Sequence, residues 1–194
     1  MRQGGIAVSA DAARRSSAAE SVLANYLRAK DGNRPHLLDR VFSPDARLEV
    51  RNASSAIAFP AFTSGREQIA EVLVRQFGRV NENVYSFYLA KPEGLVEQFG
   101  CRWLVGMTDK ESKAVRVGCG SYEWSLVYEP VACATALVID IEVMQVLDPS
   151  AGRPVLAWLE GLSYPWSTVA EVVRTAPALA PLTPVLGALG RGVA

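Results

Sequence analysis

The hydrophobic period of this chain changes once, and that change limits the folds open to it. Up to about residue 80, apolar residues recur mainly at helical spacing; from Asn83 on they alternate along four long runs joined by short polar turns. Val22, Leu23, Tyr26 and Leu27 form one helical stripe, opened by Ser17 and Glu20 as a capping box and ended at Asp31-Gly32. Pro35 suits the first turn of a second helix, which buries Leu37, Leu38, Val41 and Phe42 and stops at Ser43-Pro44. Ser64 to Glu67 forms another capping box. It opens a third helix with Ile69, Val72, Leu73, Phe77 and Val80 on one face.

Between the second and third helices, Leu48 and Val50 alternate with Arg47, Glu49 and Arg51, the pattern of a half-buried strand. The four later runs are Val84 to Leu89, Phe99 to Met107, Ala114 to Tyr128 and Thr135 to Leu147. Helices followed by consecutive strands with short turns predict an α+β domain.

The 194 residues suffice for one domain with a sizeable core plus extensions. Residues 1–15 read as a flexible leader, 16–148 as the α+β domain and 149–194 as a C-terminal extension. Within that extension, Pro154 to Glu160 and Trp166 to Arg174 read as helical, and the end, with Pro177, Pro181 and Pro184, as irregular. The uncharged tail is expected either to lie on the domain's own apolar surface or to cover a partner.

Twenty basic residues balance twenty acidic ones, so no electrostatic footprint for nucleic acid or an anionic membrane is expected. No apolar run has signal-peptide or membrane-spanning length. Cys101, Cys119 and Cys133 lack metal-type spacing and read as reduced, buried residues of a cytoplasmic protein.

The segment YLRAKDGNRPHLLDRVFSPDARLEV at 26–50, the helix start SGREQIAEVL at 64–73 and the strand GSYEWSLVYE at 120–129 resemble the nuclear transport factor 2-like superfamily. That group includes ketosteroid isomerases, scytalone dehydratase, limonene-epoxide hydrolase and SnoaL-like polyketide cyclases. The resemblance covers roughly residues 17–148. It implies a cone: three N-terminal helices packed in a strongly curved antiparallel sheet around a mostly apolar pocket, with dimers formed through the outer sheet face. Leu48 and Val50 would face the cone and Glu49 outward.

The resemblance also exposes a departure. Ketosteroid isomerases use a helix tyrosine as oxyanion donor, a strand aspartate as base and a protonated aspartic acid as second donor. Laid on this chain, those positions fall on Tyr26, on Val50 and near Gly120. Valine accepts no proton and glycine has no side chain, so isomerisation by that mechanism is not expected.

Tyr26 reads either as a core tyrosine or as a pocket donor. Trp103, Tyr122 and Trp124 read either as sheet core or as pocket wall, and Asn52, Phe59 and Phe62 as residues able to close the pocket mouth. Gly118 and Gly120 suggest a bulge or a close approach. His36, the sole histidine, is expected to be solvated or capping, and no metal or other cofactor is implied. Asp140 and Glu142 share a face opposite Ile139 and Ile141, so they are expected outside the cone, paired with Arg102 or Arg116 or set in a dimer interface.

Three functions are open at this point. The first is a cytoplasmic homodimer that binds a small hydrophobic molecule. The second is a lyase, isomerase or cyclase acting on a small apolar carbonyl compound. The third is a protein-interaction module using the sheet face and the tail.

Overall fold

The computed structural model describes residues 4–94 and 96–191, with side chains from Ser16 onward. Helix α1 (Gly4–Asp31) starts well before the expected Ser17. Ala10, Ala12, Ala13, Ala18 and Ala19 carry the helix through that point, alanine being the strongest helix former. Ser17 therefore lies inside the helix, its carbonyl accepting from Ser21 Oγ at 2.9 Å. Of the leader drawn at 1–15, residues 4–15 belong to α1, and residues 1–3 lie outside the described residues.

The expected second helix is a short 3-10 turn, Pro35–Arg40, because Phe42 already belongs to strand β1 (Phe42–Asn52). Pro44, expected to stop a helix, sits instead where the pairing of β1 slips between Phe42 and Arg47. A proline is tolerated at such a slip because no ladder N–H is needed from it. Strand β2 (Phe62–Ser64) follows, then a continuous helical run: α2 (Arg66–Ala70), a π-helical stretch Glu71–Gln76, and α3 (Phe77–Val80). Gly65, at φ 87°, precedes this run, and no side chain caps it, so Ser64 does not play the capping role expected of it.

The remaining strands are β3 (Asn81–Tyr88), β4 (Gln98–Asp109), β5 (Val115–Val127) and β6 (Cys133–Leu147), close to the four alternating runs. The sheet order is β2-β1-β6-β5-β4-β3. Its pairs are antiparallel except β1 with β6, which run parallel, Val50 opposite Ile139. The sheet is therefore mixed where an antiparallel one was expected. It curves without closing, and α1 and the α2–α3 run pack inside the curve.

Two cores result. The inner one gathers Leu23, Tyr26 and Leu27 of α1, Ile69, Ala70 and Val72 to Val74 of the helical run, and the inward residues of β1, β4, β5 and β6. The outer one is built by the extension: α4 (Gly152–Glu160), α5 (Val169–Thr175) and α6 (Thr183–Gly190). Val155, Trp158 and Leu159 of α4 and Val185 and Leu189 of α6 cluster with Phe87, Leu104, Val117 and Cys119 on the outer sheet face. The tail thus lies on the domain's own apolar surface. Its end, expected to be irregular, is helical over Thr183–Gly190. Pro184 stands in the first turn of that helix, where a proline costs no hydrogen bond.

Gly106 shows how closely this layer sits: a Cβ there would collide with Leu159 Cδ1. Among the described residues, no helix is long and apolar enough to cross a membrane.

Candidate functional site

Inside the curve lies a cavity of about 50 Å³. α1 contributes Tyr26 and Lys30, one helical turn apart, so that both point the same way. The helical run contributes Leu73 and Phe77, and the strands contribute Val50, Trp103, Val105, Met107, Tyr122, Ile139, Ile141 and Met144. Three consecutive buried residues, Val72, Leu73 and Val74, fall in the π-helical stretch, whose wider turn brings them all inward.

Tyr26 is fully buried and stands on the cavity wall, so it is both core and pocket residue. Its ring meets Trp124 edge-on at 5.0 Å between centroids, Tyr122 at 6.0 Å and Phe42 at 6.2 Å. Its hydroxyl has no partner with hydrogen-bond geometry among the described residues. Burial raises the Tyr26 phenol well above the ordinary tyrosine range; nearby Tyr122 offsets this and Asp31 adds to it. Burial likewise raises the Tyr122 phenol, with Tyr26 and Asp31 adding to the shift. Both phenols are protonated at neutral pH.

Trp103, 3% exposed, also lines the cavity, and its Nε1 is buried without a partner among the described residues. Gly120, opposite Trp103 across the β4–β5 pair, leaves the indole its space. A Cβ at Gly120 would meet Trp103 Cζ2 at 2.8 Å and collide with the Asp140 carbonyl. The β5–β6 register also shifts between Cys119 and Gly120. The bulge expected here is present, and what comes close is neither a helix nor a ligand but the neighbouring strands.

Three of the expected lining residues stand elsewhere. Trp124 is fully buried but lies one layer behind Tyr26, stacked on Phe42 with centroids 5.9 Å apart, and does not reach the cavity. Phe62 is 74% exposed on β2, opposite Glu49 of β1. Residues opposite each other on paired strands share a face, so a partner of outward Glu49 points outward too. Asn52 is exposed and outside the cavity. Its Nδ2 donates to Ile57 O at 2.6 Å and its Oδ1 accepts from Ser54 N at 2.9 Å. Asn52 therefore pins the loop after β1 so that Ile57 and Phe59 cover the cavity, with Phe59 stacked on Phe77. Val50, Phe59, Trp103, Tyr26 and Tyr122 are brought together around the cavity.

Lys30 is the lining residue that sequence reasoning missed. Its signal was available: it continues the stripe of Tyr26 by four residues. Its Nζ lies 2.8 Å from Asp31 Oδ1 and 2.7 Å from Ser86 Oγ, and 4.7 Å from the centre of the Phe77 ring. Asp31 in turn accepts from Ser86 N and Ser86 Oγ, both at 2.9 Å. This cluster ties the end of α1 to β3.

Asp140 and Glu142 lie outside the cone. Glu142 pairs with Arg102 at 2.9 Å, and Asp140 faces Ser121 Oγ at 3.4 Å and Arg51 at 3.7 Å. Arg116, the other expected partner, binds Asp109 instead. His36 is exposed on the 3-10 turn. Burial pushes the Cys101 thiol up to about 12 and the Cys119 thiol up to about 11. Among the described residues no group of three or more His, Cys, Asp or Glu side chains is placed to hold a metal ion.

No family model matches the chain, and neither does any curated protein. Solved structures do match. A nuclear transport factor 2-like superfamily protein from Salmonella enterica superposes with a TM-score of 0.55 at 15% identity, over 68% of this chain and 93% of that one. The structure of LinA gives a TM-score of 0.58 at 11% identity, over 72% of this chain and 94% of its own. A putative isomerase from Rhodopseudomonas palustris gives 0.51 at 11%, over 68% and 90%. With the curved sheet, the enclosed helices and the cavity between them, these likenesses show that the chain has the nuclear transport factor 2-like fold.

Proposed function

We propose that the cone cavity receives a small, predominantly apolar molecule and that the chain does not perform ketosteroid-isomerase-type catalysis on it. One observation carries this reading: the lining has apolar walls and contains no carboxylate or imidazole, Val50 standing where that mechanism needs its base. The phenols of Tyr26 and Tyr122 stay protonated at neutral pH and so supply no base. The cavity is about 50 Å³, whereas one of roughly 150 Å³ takes up benzene. A ring-sized occupant therefore needs Ile57 and Phe59 to swing outward, and the loop they sit on is held from outside by Asn52 alone among side chains of β1.

The alternative of a lyase, isomerase or cyclase acting on a small apolar carbonyl compound has the Tyr26 donor in its favour. The similar structures include a hexachlorocyclohexane dehydrochlorinase, which keeps it in view. It requires a proton acceptor that the lining does not supply. A homodimer through the outer sheet face would have to use the β2-β1 side, where Phe62 is exposed, because the extension covers β3, β4, β5 and part of β6. Three free cysteines suit the cytoplasmic location proposed with this reading.

Thermal shift with a panel of small cyclic and aliphatic compounds tests the binding reading. Stabilisation by apolar members is expected, and it should be lost in Val105→Trp, which fills the cavity. A flat response across the panel would defeat it.

A further inference from the structure

Every polar side chain on the cavity wall can donate, and only the phenol oxygens of Tyr26 and Tyr122 can also accept. Trp103 Nε1 carries a hydrogen and no lone pair, and an indole can only donate. It is buried without an acceptor, and the Tyr26 hydroxyl has no partner of good hydrogen-bond geometry, only the Tyr122 hydroxyl beside it. Both flank Tyr122, with ring centroids 5.7 Å and 6.0 Å from it. A buried donor left unmade bears the full loss of its hydration, so each such group in a native structure calls for a partner. Being orphaned is not sufficient by itself, since Trp124 Nε1 is orphaned too and touches no cavity. What sets Trp103 and Tyr26 apart is that both stand on the wall of one cavity.

The charge at that wall is already spoken for. Lys30 holds Asp31 at 2.8 Å, and the two side chains are only 8% and 10% exposed. A ligand carboxylate entering the cavity would find no free cation. Drawing Lys30 toward itself would leave Asp31 buried and unpaired, a strongly unfavourable exchange. An uncharged acceptor needs no such rearrangement.

Resting on the binding reading above, we propose that the molecule held here is uncharged and carries one hydrogen-bond-accepting atom, such as a ketone, ester or ether oxygen. Trp103 Nε1–H takes that atom, with the Tyr26 hydroxyl as second donor. Trp103 is thereby a specificity residue: it selects for the acceptor, and the Lys30–Asp31 pair selects against the anion.

The test uses the full chain and three probes with one skeleton: cyclopentanone, methylcyclopentane and cyclopentanecarboxylate, titrated at pH 7 and followed by NMR. The ketone is expected to bind about tenfold tighter than the hydrocarbon, one good hydrogen bond's worth, and the carboxylate no tighter than the hydrocarbon. Trp103→Phe should bring the ketone-to-hydrocarbon ratio close to one. Tyr26→Phe should lower the ratio as well, and it serves if Trp103→Phe does not fold. Equal binding of ketone and hydrocarbon, indifferent to both variants, would overturn this inference and leave the apolar-binding reading intact. A carboxylate that binds tightest would overturn it as well. Failure of all three probes would remove the binding reading, and this inference with it.

Discussion

Lys30 shows how much one residue can decide in this fold. Among the described residues it is the only charged side chain on the cavity wall, and it is kept there by Asp31 and by Ser86. Removing one member of a buried pair leaves the other uncompensated, at a cost of about 3–5 kcal/mol. Lys30→Met should lower stability by that order in urea titration. Lys30→Met combined with Asp31→Asn should recover part of it, giving a positive coupling between the sites. A Lys30→Met protein as stable as the parent would mean that the pair is not held together in solution. At the same scale, alternation along a strand told Val50, Trp103, Ile139 and Ile141 apart from their outward neighbours, and their inward placement was legible. Phe62 was not, because its direction depends on which strand it pairs with. Lys30 was overlooked because lysine is expected at the surface, although its spacing from Tyr26 places it on the buried stripe.

The elements most at risk from small changes are the strands where backbone and helix come close. At Gly120 the obstacle to a side chain is the Asp140 carbonyl, a backbone atom held in the β5–β6 ladder. At Gly106 it is the end of the Leu159 side chain, which can rotate. Gly120→Ala should therefore cost clearly more than Gly106→Ala, on the order of 3 kcal/mol or more against 1–2 for an overpacked side chain. Melting curves of the two variants settle the order; Gly106→Ala as the worse variant would reverse this account of the sheet. Element identity was largely legible here, since the four alternating runs became β3 to β6. Helix limits were not. The alanine-rich start carried α1 through an apparent capping box, and six residues after Pro35 were too few for more than a 3-10 turn before β1 began.

At the scale of the whole molecule, the chain carries its own cover for part of its outer sheet face. Leu182, Val185 and Leu189 are fully buried against it, each contributing roughly 1.5–3 kcal/mol. Deleting residues 176–194 should lower the melting temperature and shift the protein to larger species in size-exclusion chromatography, as Val117 and Cys119 lose their cover. Unchanged elution and melting would mean that the extension is not part of the folded unit. Sequence reading left the tail between an intramolecular and an intermolecular role, because apolar residues without charge fit either; contact with Leu104 and Val117 resolves it. What stays at the centre is the inner face: a cone cavity with apolar walls, donors and no base. Methyl-resolved NMR of the full chain titrated with methylcyclopentane addresses that directly. Shifts confined to the methyl groups of Met107, Ile139, Ile141 and Met144, with those of Leu159 and Leu189 in the outer core unmoved, are the predicted result. Shifts of equal size in both cores, or none in the inner one, would contradict it.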